Sequence, residues 1–348
     1  IAMENASDVL TGGAGTVSDE VQLTFSGTGG ALIVDLSSTG DQVTMFNGLA
    51  NSVSQSGFED LDASSYTQTA SVGADITGSS GANVIVGTGY ADTIRGGDGA
   101  DTITGGAGND TVYLKSGQYT VDLGSGDDKV YLTTSASSIE GNTGTDEAIV
   151  RAFDGFVDVY IDLQFSTYFV PSKLTAQDGM DVSLKSFEKV TIDGNVAATI
   201  LGTAATDIIV GDDGADNITG RGGADTLTGG SRSDKFIFQS SDTGITLATA
   251  DTITDFATGT DKIDIDAPGT YVEADGTGTA NFAAFTTAAN ASLTTNSDDI
   301  YSQYNYAGLG NTLVVIDEDK SGTITAGDTL IILTGLSTAG GLDSSDFI

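Results

Sequence analysis

Cysteine, histidine and tryptophan are absent from the 348 residues, and there are only two prolines. No disulfide can form, and no imidazole is available to bind zinc or move a proton. A Ser-His-Asp triad and an H-E-x-x-H metalloprotease site are therefore excluded. Basic residues are scarce: 12 Lys and Arg stand against 49 Asp and Glu, for a net charge of -37. Phosphate would be repelled, so nucleic acid is excluded as a natural partner and bare anionic membranes are disfavoured. No apolar run approaches the roughly 18 residues that mark a spanning helix, so membrane insertion is not expected. No classical N-terminal signal peptide is visible.

What is abundant is glycine, at 48 residues, and one kind of acid, since the 49 acids divide into 41 Asp and 8 Glu. A general solubilising surface would use Glu as freely. Hydrophobic content of 39% is too high for disorder. Short Thr, Val and Ile runs between Gly-Asp clusters predict β structure almost throughout.

The glycines and aspartates keep a nine-residue beat. Gly96-Gly97-Asp98-Gly99-Ala100-Asp101-Thr102-Ile103-Thr104 runs into Gly105-Gly106-Ala107-Gly108-Asn109-Asp110-Thr111-Val112-Tyr113. Both fit G-G-x-G-x-D-x-U-x, where U is a large apolar residue. Steps of nine from Gly78 reach Gly87, Gly96, Gly105, Leu114 and Leu123. The sixth positions read Asn83, Asp92, Asp101, Asp110, Tyr119 and Asp128; the eighth read Ile85, Ile94, Ile103, Val112, Val121 and Val130. A second run starts at Gly202 and steps to Gly211, Gly220 and Gly229. Its acids are Asp207, Asp216, Asp225 and Asp234, and its apolar positions Ile209, Ile218, Leu227 and Phe236. Ala205, Asp212 and Arg221 interrupt its glycines. An echo at Asp8-Val9-Leu10-Thr11-Gly12-Gly13-Ala14-Gly15 breaks down at Val17.

At these residues the chain resembles the RTX (repeats-in-toxin) family, whose members are secreted and bind calcium in a parallel β-roll. The resemblance implies an all-β fold of parallel β-roll or β-solenoid blocks joined by β-rich segments. Glycines let the six-residue loop curl, Asp adds carboxylate oxygens, and the x-U-x triplet is a short strand whose U side chain points inward. Calcium is a hard ion taking roughly six to eight oxygens. Two units make a turn of about eighteen residues, which pairs Asp92 with Asp110, Asp101 with Tyr119, Asp110 with Asp128, Asp207 with Asp225, and Asp216 with Asp234. The expected ligands are these acids with the glycine loops Gly96, Gly97, Gly99 and Gly105, Gly106, Gly108. The Asp101–Tyr119 pairing is a weak spot, and calcium sites should thin out at the ends of the run.

The expected organisation is a β-rich segment 1–77, a first roll 78–131, an intervening β-rich segment 132–201, a second roll 202–238 and a β-rich cap 239–348. Phe58-Glu59-Asp60-Leu61 and Phe187-Glu188-Lys189-Val190 suggest a duplicated leader before each roll. Val157–Leu163 alternates cleanly as a strand, among Phe153, Phe156, Tyr160, Phe165, Tyr168 and Phe169, which read as core or as an exposed patch for a partner. Asp251-Thr252-Ile253-Thr254-Asp255-Phe256, followed by Gly259 and Asp261-Lys262-Ile263-Asp264, resembles the segment that closes the roll in serralysin-type secreted proteins. Asp317-Glu318-Asp319-Lys320-Ser321-Gly322-Thr323-Ile324-Thr325-Ala326-Gly327-Asp328 resembles an EF-hand loop, with Asp317, Asp319, Ser321, Thr323 and Asp328 as ligands. Asp in place of Glu at its last position reaches less far, and the flanking apolar runs predict strands, not helices. The ending Asp343–Ile348 resembles a type I secretion signal.

Three functions fit. The first is an extracellular, cell-surface structural protein (S-layer, fibre or matrix) that forms a homo-oligomer or polymer when calcium folds it. The second is the calcium and secretion region of a larger enzyme or toxin. The third is an adhesin holding a cell-surface glycan. Among the acids no carboxylate pair stands out for glycoside chemistry, and no catalytic residues are expected.

Overall fold

A computed structural model describes residues 2–3, 10–11, 20–23, 25–27, 32–38, 42–46, 49–50, 55–56, 58–68, 72–134, 137–152, 159–163, 182–239, 242–265, 270–277, 279–293, 299–338 and 340–348. Most of the echo at Asp8–Gly15 and the aromatics Phe153, Phe156, Phe165, Tyr168 and Phe169 lie outside them, as do Val157 and Asp158. The chain forms two units: Ile1–Arg151 with Phe165–Lys189, and Ala152–Gln164 with Val190–Ile348.

The first unit is a parallel coil, because its apolar positions recur every nine residues and successive ones fall on alternate sheets. One sheet stacks Val84–Val86, Thr102–Ala107, Thr120–Ser125 and Ser137–Glu140; the other stacks Ala74–Thr77, Thr93–Gly97, Thr111–Ser116, Lys129–Thr134 and Glu147–Ala152. The register places Ile85 on Ile103, Val121 and Ile139, and Ile76 on Ile94, Val112, Val130 and Ala148. Each pairing spans eighteen residues, so one coil is two repeats. Every one of these apolar side chains is buried. A fully buried aliphatic side chain contributes about 1.5–3 kcal/mol, and here they form an unbroken column. The beat runs on past Val130 to Ile139 and Ala148, and at the other end Leu61 and Val34 extend the two columns with longer excursions between coils. The in-register stacking also lines up outward residues: Tyr113 and Tyr131 stack at 4.8 Å, with Arg95 over one ring and Arg151 over the other.

The second unit repeats the plan. Ile161, Ile200, Ile218, Phe236 and Ile263 form one column, and Ile209, Leu227, Ile253 and Leu333 the other. Of the alternating run, Val159–Asp162 forms a strand and Leu163 is buried after it; Tyr160 is exposed and does not belong to the core.

After Asp264 the pattern changes. Thr312–Ile316 pairs antiparallel with both Thr329–Leu333 and Ile300–Tyr304, and Tyr271–Asp275 forms the edge of this sheet. A helix, Phe282–Asn290, interrupts what the sequence suggests is β-rich. Its run of alanines favours it, and the Asn281 side chain caps it by accepting the Ala284 N–H at 3.0 Å. Phe285 and Ala289 bury its inner face with Tyr301, Tyr306 and Leu313.

Candidate metal centres

Apart from Asn83 and Tyr119, each repeat ends its six-residue loop on an acid, and the coil fixes one of its oxygens. Oδ1 accepts the backbone N–H of the residue one coil earlier: Asp92 donates to Asp110 at 2.7 Å, Asp110 to Asp128 at 2.7 Å, and Asn83 to Asp101 at 2.9 Å. The second unit does the same from Asp207 to Asp225 and from Asp216 to Asp234, both at 2.9 Å. The acid pairs expected from the eighteen-residue turn are thus brought together. These carboxylates are almost fully buried.

Oδ2 divides the loops into two kinds. In Asp101, Asp110, Asp128, Asp216, Asp225 and Asp234 it is buried without a hydrogen-bond partner. In Asp92 it accepts the Thr88 N–H at 2.6 Å, and in Asp207 the Thr203 N–H at 2.6 Å. The Asn83 amide oxygen accepts the Ser79 N–H in the same way, at 2.8 Å. The second loop position decides between them. Where its φ is positive, as at Gly97, Gly106, Gly124, Asp212, Arg221 and Gly230, the acid is left unpartnered. At Ser79, Thr88, Lys115 and Thr203, which lack that conformation, the N–H caps the sixth side chain of its own loop. The first kind is open and the second closed.

Oxygens converge at the first glycine of open and closed loops alike, and the open loops leave one carboxylate oxygen there without a hydrogen-bond partner, free for a small cation. A Cβ added to Gly105 would sit 2.5 Å from Asp110 Oδ2 and 2.4 Å from the Leu123 carbonyl of the next coil. Carboxylate and carbonyl oxygens therefore crowd the same point, with no nitrogen ligand available. An unpaired buried carboxylate is expensive, and the acidities reflect this. Burial, reinforced by the charges of Asp92 and Asp128, pushes the Asp110 carboxyl up to about 8. Burial also raises Asp216 and Asp225 to about 7, and Asp101, Asp128 and Asp234 to about 6. A bound divalent cation would supply the missing partner and hold these groups ionised.

Asp146, Asp251 and Asp261 belong to the same ladders and escape the sequence reading. Asp146 Oδ1 accepts the Asp128 N–H at 2.9 Å and its Oδ2 is unpartnered, in an open loop with Asn142 at positive φ. It lies on the nine-residue beat, with Gly141 two steps past Leu123, but Asn142 and Ala148 blur the motif. Asp251 accepts from Asp225 and Asp261 from Asp234, at 2.8 and 3.0 Å. Insertions lengthen these coils by eight or nine residues and break the count. The Phe187-Glu188 segment sits on this first roll: Glu188 Oε2 accepts the Asp146 N–H at 2.9 Å, so it occupies the coil beyond Asp146.

Asp317, Asp319 and Asp328 converge separately, with carboxylate oxygens within 4.8 Å of one another. Their loop joins two antiparallel strands, Ile316 facing Thr329, as the flanking apolar runs require. Asp317 accepts the Ser321 and Gly322 N–H groups at 3.0 and 2.7 Å, and Asp328 the Thr325 N–H at 2.6 Å. The Ser321 hydroxyl donates to the Thr323 carbonyl at 2.8 Å. Burial raises Asp317, and pushes Asp328 up to about 6 with help from neighbouring Asp319. Hydrogen bonds from Thr325 and Ser321 lower the exposed Asp319.

Comparison with protein families finds the RTX calcium-binding nonapeptide repeat, in four copies, at residues 77–112 and 201–235. No curated protein matches the chain. The repeats are calcium-binding, and the oxygen-only open loops fit that ion. Proteins with such repeats are typically secreted. Among the described residues no helix is long and apolar enough to cross a membrane.

Proposed function

We propose that the chain is a secreted structural protein that calcium folds and then assembles into a surface layer, fibre or matrix. The observation that carries the calcium-folding part is the set of buried, unpartnered Oδ2 atoms in the open loops. Asp110, Asp128 and Asp146 hold ions in the first unit, and Asp216, Asp225 and Asp234 in the second, with loop carbonyls completing each shell. Asp317, Asp319 and Asp328, with Ser321 and Thr323, hold a further ion in the hairpin. Without calcium these buried acids must take up protons or repel one another, and either costs stability, so ion binding becomes folding energy. Supporting an assembly role, both units carry the same calcium-demanding coil, and an extracellular calcium supply is the natural trigger.

Calcium titration of chelated protein, followed by circular dichroism and light scattering together, tests this. A coil-to-β transition with rising scattering is the expected result. Folding without scattering would remove the assembly reading and leave a calcium module of a larger enzyme, toxin or glycan-binding adhesin. No transition at all would remove the calcium-folding reading as well.

A further inference from the structure

Two loops of the first roll lack an acid at the sixth position, at Asn83 and Tyr119, and in the second of them an aromatic ring takes the space. Tyr119 occupies the sixth position of Leu114–Tyr119 and is buried. Its hydroxyl donates to the Gly97 carbonyl of the preceding coil at 2.7 Å and accepts the Lys115 N–H at 3.2 Å. The ring fills the space over the glycines on both sides. A Cβ on Gly96 or on Gly117 would each meet it at 3.1 Å. Its oxygen thus touches the second residue of two stacked loops.

We propose that the Tyr119 phenol stands in for a calcium ion between the loops Gly96–Asp101 and Leu114–Tyr119, making that rung independent of calcium. This role for Tyr119 rests on the proposed function, in which open loops hold ions. An ion would accept electron density from the Gly97 carbonyl; the phenol O–H offers the same carbonyl a hydrogen bond. Lys115 completes the device, because its N–H closes the loop on Tyr119 as Thr88 closes on Asp92. The two edges of the first roll therefore differ. One carries Asp92, Asp110, Asp128 and Asp146 without interruption. The other carries Asn83, Asp101, Tyr119 and Ser137, where the Ser137 hydroxyl accepts the Tyr119 N–H at 3.3 Å.

Lys115 and Tyr119 together decide the matter, so the test changes both. The double variant Lys115→Gly with Tyr119→Asp has the open-loop pattern and should bind one calcium more than the wild type by isothermal titration calorimetry. Tyr119→Phe should bind the same number as wild type but melt several degrees lower in saturating calcium. An unchanged count in the double variant, or failure to fold in excess calcium, would overturn the proposal. An unchanged melting temperature for Tyr119→Phe would also overturn it. The wild type and Asp110→Ala are titrated alongside. If the wild type binds no calcium, the open-loop reading itself fails; if it does and Asp110→Ala loses an ion, only the role of Tyr119 is at issue.

Discussion

Removing calcium should make the fold unusually sensitive to alkali, with the opposite sign to ordinary acid denaturation. A carboxyl raised above its unfolded value of about 3.9 is neutral in the fold but ionised in the unfolded chain. The metal-free fold then loses about 1.4 kcal/mol per pH unit for each such group, until the folded pKa is passed. Asp110 and Asp251 are both pushed up to about 8, chiefly by burial. Between about pH 5 and pH 7 each removes about 3 kcal/mol from the metal-free fold. Asp110 lies in the first unit and Asp251 in the second, and each effect is a large fraction of the roughly 5–15 kcal/mol that holds a typical domain together. Asp216 and Asp225, at about 7, act in the same direction. With calcium bound the carboxylates are wanted in their ionised form, and the dependence should reverse. The assay is guanidinium unfolding at several pH values in chelator and in calcium, read by circular dichroism. Chelated protein should be markedly more stable near pH 5 than near pH 8. Equal stability across that range in chelator would mean that these carboxyls are not held neutral in the metal-free fold.

Asp110→Asn removes the ionisable group while keeping the N–H acceptor. It should raise metal-free stability at neutral pH by a few kcal/mol and weaken calcium binding, measured by unfolding in chelator and by calorimetry. Gly106→Ala should destabilise the calcium-loaded fold by at least about 1–3 kcal/mol and lower its melting temperature. Gly106 has φ of +117°, and an added Cβ would lie 2.2 Å from the Thr88 carbonyl. Asp328→Asn should reduce calcium stoichiometry by one while the β signal of the rolls persists in circular dichroism.

The coil was legible because its two requirements leave separate marks. Ile94, Ile103 and Val112 must fill one interior column or the other, and all are buried. Asp101, Asp110 and Asp128 must each clip the coil before, and a nine-residue beat reports both facts. The state of each loop was not legible from the acids alone. Asp92 and Asp110 look alike in the motif, but Thr88 turns its N–H onto the first and Gly106 turns away from the second. Asp212 and Arg221, which seem to spoil the second run, adopt the positive φ of the glycines they replace. Asp251 and Asp261 were hidden because insertions shift their numbers without shifting their place in the ladder. The helix Phe282–Asn290 carries no Gly-Asp signal, and its alanines read equally as filler between strands.

The antiparallel cap of the second unit bears on how copies could join. Tyr271–Asp275 is the outermost described strand of its sheet, and it carries Glu273 and Asp275. Acidic side chains on an edge oppose the addition of a foreign strand. Growth by simple β-continuation is therefore discouraged at this end. A joint made at this strand would therefore rest on side-chain surfaces or on shared ions, which a chelator could undo, and not on an amyloid-like extension of the sheet.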